Sequence, residues 1–111
     1  MYTHDYLFDF TRSVFMKMGH SKEHSESIAA VFIAAELRGH PSHGMIRIRE
    51  YYELWKAGRL NVSPVIRIVH ESPGTAVVDG DNGAGMLAAE KSMRIAVEKA
   101  KKVGTGWVAT R

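Results

Sequence analysis

The hydrophobic pattern of the chain changes at Pro64, and this change restricts the fold more than any other feature of the sequence. Before Pro64, apolar residues recur every three or four positions, which is the spacing of amphipathic helices. After Pro64, "VIRIVHE" alternates between apolar and polar residues as β-strands do, and "TAVVDG" is a second β-rich run. The sequence therefore predicts a helical segment at residues 1–63 and the start of an α/β domain at 64–111.

Capping residues and glycines mark the ends of two helices in the first segment. Thr3 and Ser21 precede apolar runs at helical spacing and are suited to cap them, and Gly19 and Gly39 follow those runs. The residues expected to face the core are Leu7, Phe10, Val14 and Met18 in the first helix, with Phe15 beside them, and Ile28, Val31, Phe32 and Ala35 in the second.

A third helix is expected after the short segment around Pro41. It should begin near Ser42 or Gly44 and run to about Ala57, with Gly58 as its C-terminal signal. The turn or linker "NVSP" then leads into the second segment.

The second segment combines a predicted β-hairpin, a long helix and one further strand. The residues "SPG" form the hairpin turn, and "DNGAG" opens the helix. One stripe of that helix is apolar and is formed by Ala89, Met93, Ala96, Val97, Ala100 and Val103. "GWVATR" is predicted to be a strand with nothing after it to pair with. The fold class is therefore α+β, either an incomplete part of a larger α/β protein truncated at Arg111 or a small domain whose last strand joins the hairpin.

The composition excludes several kinds of chemistry. The 111 residues include no cysteine, which rules out disulfides, thiol nucleophiles and cysteine-ligated zinc. A net charge of +3 does not by itself indicate a nucleic-acid-binding protein. The longest apolar run, "IAAVFIAA", is far shorter than the roughly 20 residues of a transmembrane helix, and no secretory signal is evident. We therefore expect a cytoplasmic protein that binds neither membranes nor nucleic acid.

The stretch "RGHPSHGMIRIREYY", residues 38–52, contains the side chains needed to bind a small carboxylic acid. On a continuous helix, His43, Arg47 and Tyr51 would form one row, with Ser42 at its N-terminal edge. A guanidinium pairs with a planar carboxylate through two hydrogen bonds, and an imidazolium can protonate a carbonyl oxygen that gains charge during reduction. In a purely structural interpretation, the same residues would be a cap and a solvated helix face.

Three stretches of the chain resemble the malate/L-lactate dehydrogenase family, which is unrelated to the Rossmann-type lactate dehydrogenases. They are "AAELRGHPSHGMIRIREYYELWKAGRLN", "VVDGDNGAGMLAAEKSMRIAVEKAKKVG" and "GWVATR", in the order and spacing of the family. "RGxxSHG" followed by arginine and tyrosine is the most specific part. The resemblance implies reversible hydride transfer between NAD or NADP and the C2 carbon of a 2-hydroxy or 2-oxo acid, in a homodimer.

The resemblance also implies a role for each residue of the motif. His43 would be the proton donor to the oxo oxygen of the substrate, and Arg47 would bind its carboxylate. Ser42 and Tyr51 would be supporting hydrogen-bond groups in substrate binding. Family members continue past "GWVATR" into the nicotinamide-binding domain, so we expect this chain to be an N-terminal portion without turnover of its own, and its cofactor-binding residues stay unassigned.

Three other interpretations compete with this one. "VVDGDNGAGMLA" partly matches a dinucleotide fingerprint, but its glycines follow the strand too late for a Rossmann turn and suit a tight turn with helix–strand packing. The histidines, including the pair His20 and His24, lack the partners of a metal site, so no metal is expected. The helical start could also be a helix-turn-helix-like DNA-binding module, with "MIRIREYY" as recognition helix, or a helical protein-interaction module.

Overall fold

Four α-helices and three β-strands follow one another along the chain. The computed structural model describes all 111 residues, which divide into two compact units, Met1–Ser63 and Pro64–Arg111. The helices are α1 His4–Met18, α2 Lys22–Leu37, α3 Ile48–Lys56 and α4 Gly85–Val103, and the strands are β1 Arg67–Glu71, β2 Thr75–Asp79 and β3 Trp107–Thr110. The predicted α+β fold class is confirmed. No helix has the combination of length and apolar character that crossing a bilayer requires.

The first two helices begin and end at the residues that the sequence indicates. The Tyr6 backbone N–H donates to the hydroxyl of Thr3 at 3.2 Å, and the His24 N–H donates to the hydroxyl of Ser21 at 3.1 Å. Gly19 has a φ of 110°, which lies in the left-handed region, and it ends α1. These caps satisfy N–H groups that a helix cannot pair internally.

The core of the first unit is an aromatic cluster. Phe15 of α1 is fully buried, and its ring centroid lies 5.9 Å from that of Phe32 in α2. The ring of Tyr51 in α3 contacts both phenylalanines edge-on, at 5.9 Å from each. Edge-to-face pairs of this kind add to the stabilisation that burial provides. The three helices are therefore joined through one set of rings.

The buried face of each of the first two helices differs partly from the prediction. In α1 it is formed by Thr11, Phe15 and Met18, and in α2 by Ser25, Ile28, Ala29, Phe32 and Ile33. Phe10 is 48% exposed and Val31 is 42% exposed, so their assignment to the core is wrong. Thr11 can occupy a buried place because its hydroxyl donates to the carbonyl of Leu7 within α1 at 2.8 Å.

The prediction of a continuous third helix from Ser42 or Gly44 is wrong. Two 3₁₀ turns, Pro41–His43 and Met45–Arg47, precede α3, which begins only at Ile48. Gly44 separates the turns with an extended ψ of −140°, which no helical residue adopts. The Met45 N–H donates instead to the side-chain Oε1 of Glu36 in α2 at 2.8 Å. A contact distant in sequence thus replaces the helical hydrogen bond.

The second unit is a three-stranded sheet with one helix. Its strand order is β1-β2-β3, in which β1 pairs antiparallel with β2 as the predicted hairpin, and β2 pairs parallel with β3. The final strand therefore joins the hairpin's sheet. The tight turn after β2 contains Asp81 and Asn82, both with a φ of 52°, and the Gly83 N–H closes it on the carbonyl of Gly80 at 2.9 Å.

The packed face of α4 differs from the predicted apolar stripe. Its buried residues are Leu87, Ala88 and Ser92, while Met93 is 65% exposed. A methyl group at Gly80 would lie 3.1 Å from Cβ of Ala88, which shows how closely α4 approaches the end of β2. The Ser92 hydroxyl lies 2.9 Å from that of Thr110 in β3. Of the predicted stripe, Ala96 and Ala100 are half-buried, whereas Ala89, Met93, Val97 and Val103 are exposed.

His20 is a buried titratable group directly after α1. Its side chain is 4% exposed, its ring contacts Phe15 edge-on, and its Nδ1 donates to the Phe15 carbonyl at 3.2 Å. The other ring nitrogen, Nε2, is buried and has no hydrogen-bond partner. Burial lowers the pKa of His20 from its ordinary value of 6.5, the bond to Phe15 opposes that change, and nearby His24 adds to the lowering.

We expect His20 to make the first unit less stable in mild acid. The unfolded chain takes up a proton at this histidine near pH 6.5, whereas the folded chain resists it, so the stabilisation is complete above pH 6.5 and falls as the pH drops below that value. Urea unfolding followed by Trp55 fluorescence, in a Trp107→Phe background, would measure this. His20→Asn should reduce the pH dependence, and the control His70→Asn at an exposed site should retain it. Equal pH dependence in all three proteins would contradict the assignment.

Candidate functional site

Ser42 connects two of the residues that the sequence analysis singles out. Its hydroxyl lies 2.9 Å from Nδ1 of His43, and its backbone carbonyl accepts a hydrogen bond from Nε of Arg47 at 2.7 Å. His43 is exposed in the first 3₁₀ turn, and Arg47 closes the second. The imidazole and the guanidinium are therefore held at the same serine, although they do not share one helix face as predicted.

The guanidinium of Arg47 is fixed on a second side. Its Nη1 donates to both carboxylate oxygens of Glu50, at 2.7 and 2.6 Å, while Nε is bound to Ser42. The side chain is 40% exposed. Two fixed edges leave Nη2 as the nitrogen that is available to a ligand. A guanidinium that is held in this way loses little further conformational freedom when it binds a planar anion.

Tyr51 occupies a different environment from the other three residues. It lies in α3, one turn after Arg47, and its ring belongs to the aromatic cluster with Phe15 and Phe32. The side chain is half-buried. The structure thus brings Ser42, His43 and Arg47 together in the two 3₁₀ turns. Tyr51 follows them in the sequence, but its ring is anchored in the aromatic cluster.

Glu36 is a residue of this region that the sequence analysis did not identify. Its carboxylate accepts the Met45 N–H, and it occupies the space in which any side chain at position 44 would lie. A methyl group built on Gly44 would lie 2.6 Å from Cδ and 2.8 Å from Cγ of Glu36. Any side chain at the position after His43 would therefore have to displace the carboxylate of Glu36, eight positions earlier. No local pattern in the sequence signals this contact.

The glycine-rich turn after β2 is used for internal packing. A methyl group at Gly83 would lie 2.6 Å from Cγ of Pro64, and Arg111 is engaged with the Asp79 carboxylate at 3.2 Å. The backbone N–H of Asp81 and the Arg111 side chain together lower the pKa of Asp79. These glycines and this arginine therefore serve the predicted tight turn. No group of three or more histidine, aspartate or glutamate side chains lies close enough to hold a metal ion.

Comparison with known sequences identifies the family. The sequence model of malate/L-lactate dehydrogenase matches residues 2–111. The chain belongs to the malate/L-lactate dehydrogenase family. It is 47% identical over 98 residues to L-sulfolactate dehydrogenase of Methanocaldococcus jannaschii, covering 88% of this chain and 28% of that protein. It is also 41% identical over 107 residues to malate dehydrogenase of Pyrococcus abyssi, covering 96% of this chain and 30% of that protein.

Solved structures of family members have the same fold over this region. Sulfolactate dehydrogenase from Methanocaldococcus jannaschii superposes with a TM-score of 0.95 at 42% identity, and covers 98% of this chain and 32% of its own. Malate dehydrogenase from Pyrococcus horikoshii gives a TM-score of 0.92 at 37% identity over 96% of this chain and 31% of its own. The chain thus spans about 30% of the length of these relatives and corresponds to their N-terminal portion.

The DNA-binding alternative is not favoured. Its recognition helix, "MIRIREYY", is divided between a 3₁₀ turn and α3, and the sulfur of Met45 lies 3.1 Å from the Thr11 hydroxyl of α1. Several cations of α4 are paired with carboxylates, as expected for a solvated helix face: Arg94 with Glu90 at 2.6 Å, and Lys101 with Glu98 at 3.0 Å. Neither surface offers a row of free cations, and the relatives are dehydrogenases.

Proposed function

We propose that this chain is the N-terminal, substrate-binding portion of an NAD(P)-dependent oxidoreductase that acts on a small 2-hydroxy or 2-oxo acid. Relatives named malate dehydrogenase and L-sulfolactate dehydrogenase support this substrate class. The observation on which the proposal rests is the pair of bonds at Ser42, to His43 and to Arg47. The second unit would then begin a larger α/β domain, and the protein would be a cytoplasmic homodimer.

His43 is the proposed general acid and base. Because the Ser42 hydroxyl is bonded to Nδ1, the nitrogen left for the substrate is Nε2, on an exposed ring. A histidine can both give and accept a proton near neutral pH, so one residue serves reduction of the oxo group and oxidation of the alcohol. Ser42 therefore orients the ring, and Nε2 exchanges the proton with the substrate oxygen.

Arg47 is the proposed partner of the substrate carboxylate. Its fixed Nε and Nη1 leave Nη2 for the ligand, and its positive charge lies beside the residue that handles the oxo group. A 2-oxo acid has its carboxylate on the carbon next to the carbonyl, so both groups must be bound at neighbouring points. Tyr51, one turn further along, is proposed as a supporting hydrogen-bond group.

The glycine-rich turn after β2 and Arg111, the part of this chain that most resembles a dinucleotide site, do not fit NAD or NADP. The space beside Gly83 is filled by Pro64, and Arg111 is paired with Asp79 instead of being free for a phosphate. The proposal therefore assigns only substrate binding and proton transfer to the chain. When bound, the nicotinamide would supply the hydride, and residues outside these 111 would hold it.

Arg47→Lys tests the carboxylate assignment. We expect KM for the 2-oxo acid to rise about 10-fold with little change in kcat, because an ammonium cannot bond Ser42, Glu50 and a carboxylate in the same fixed geometry. Steady-state kinetics of the complete protein with a reduced nicotinamide would measure both constants. Arg49→Lys, at an exposed position two residues later, is the matched control and should leave KM unchanged. An unchanged KM in Arg47→Lys would remove this residue from the proposed site.

A further inference from the structure

A cavity of about 480 Å³ is lined by His43 and by residues that precede it in the sequence. Its lining consists of Val31, Ala34, Ala35, Arg38, His40 and His43. The first three give it an apolar floor on the last turns of α2, and the last three give it a rim that contains only basic side chains. None of the proposed partners of His43 in substrate binding contributes to this cavity.

The C-terminus of α2 explains how the rim is formed. Gly39 has a φ of 71°, its N–H donates to the Glu36 carbonyl at 3.0 Å, and the His40 N–H donates to the Ala35 carbonyl at 2.9 Å. This is the hydrogen-bond pattern of a Schellman motif, which reverses the chain over the last turn of a helix. The reversal places the backbone of His40 next to that of Ala35, in the last turn of α2. The His43 N–H then donates to the His40 carbonyl at 3.0 Å, which fixes the two histidines relative to each other.

The charge of this cavity is uncompensated. Arg38 is exposed, and its guanidinium makes no hydrogen bond or ion pair within the chain, whereas Nε and Nη1 of Arg47 are bound to Ser42 and Glu50. No carboxylate is among the lining residues. A permanent cation over a floor of alanine and valine attracts an anion whose carbon atoms can pack on the apolar surface.

We propose that this cavity binds the acidic group at the end of the substrate distal to the reacting carbon, with Arg38 as its main partner and His40 beside it. The inference rests on the proposed function, because it places the oxo group at His43. Arg38 and His40 then determine specificity: they favour a 2-hydroxy acid with a second anionic group, a carboxylate or a sulfonate, over a simple monocarboxylate. Two oxygens of either group match the paired N–H groups of a guanidinium.

Direct binding tests this subsite without turnover. The ring Cε1–H signals of His40 and His43 in NMR spectra of the 111-residue chain would be followed on addition of L-malate or L-lactate. We expect both acids to shift His43, and L-malate to shift His40 at concentrations about 10-fold lower than L-lactate. In Arg38→Gln the advantage of L-malate should disappear, whereas in Arg49→Gln, which removes the same charge outside the cavity, it should persist.

The outcomes separate this inference from the proposed function. If His43 responds equally to both acids and His40 to neither, the subsite is wrong and the proposed function stands. If Arg38→Gln retains the preference for L-malate, the assignment of Arg38 is overturned. If L-malate shifts His40 in an Arg38-dependent way but His43→Ala leaves turnover of the complete protein unchanged, the anion site exists and the proposed role of His43 fails. Ethanesulfonate, which has no carboxylate, should also shift His40, and a failure to do so would show that the cavity requires a carboxylate and would overturn the assignment of sulfonates.

Discussion

Replacing His43 with alanine should lower kcat of the complete protein at least ~100-fold, which is the lower end of the contribution of a positioned general acid. The reason is the loss of the only imidazole that Ser42 orients, so that water must supply the proton to the developing alkoxide. The measurement is the steady-state rate of nicotinamide oxidation with a 2-oxo acid, taken across a range of pH. In the variant, the pH dependence that is due to this acid should also disappear.

His70→Ala is the control for the loss of a histidine as such. His70 is exposed in β1 and belongs to the second unit, so its removal should leave the rate and its pH dependence unchanged. A His43→Ala protein that turns over at nearly the normal rate would reject the proposed role. Normal affinity for the 2-oxo acid combined with a low rate would support it, because the carboxylate would still be held by Arg47.

Replacing Gly44 with alanine should reduce kcat/KM by roughly 100-fold, the loss expected when reacting groups are misplaced by about 1 Å. The added methyl group would collide with the carboxylate of Glu36. That carboxylate can move, but only by giving up its bond to the Met45 N–H, which joins α2 to the second 3₁₀ turn. Ser42 and His43 precede the displaced residue, and Arg47 follows it.

A double-mutant cycle identifies the collision as the cause. Glu36→Ala removes the obstructing side chain, so Glu36→Ala combined with Gly44→Ala should lose less activity than the sum of the two single losses. Gly85→Ala is the matched control, since a methyl group there meets nothing within 4 Å. Its kcat/KM should equal that of the unmodified protein. Strictly additive losses at positions 36 and 44 would show that the two residues act independently.

Much of the fold could be predicted because local signals specify it. Thr3 and Ser21 cap the helices that they precede, Gly19 ends α1, and the alternation after Pro64 corresponds to a real hairpin. The caps and the helix end depend on residues within four or five positions of one another, and the hairpin pairs residues at most twelve positions apart. The final strand pairs with β2, which the sequence left open between two arrangements.

The start of α3 could not be predicted because a distant residue determines it. The sequence from Ser42 to Lys56 has helical spacing throughout, yet Glu36 captures the Met45 N–H and Gly44 adopts an extended ψ. The predicted row of His43, Arg47 and Tyr51 fails for the same reason. Arg47 is nevertheless bound at Ser42, through a backbone carbonyl that no pattern of side chains reveals. Helical spacing and the family resemblance both selected these residues, but only the resemblance does not depend on a continuous helix.

The parallel pairing of β2 with β3 has a consequence for the order of folding. The hairpin of β1 and β2 closes through a short turn, whereas pairing Thr75 with Trp107 requires the whole of α4 to be placed between them. Contacts between residues far apart in sequence form slowly, since a long loop must close before any of them is gained. On a ribosome, the hairpin can therefore assemble early, and β3 joins the sheet only after α4 and β3 have both emerged.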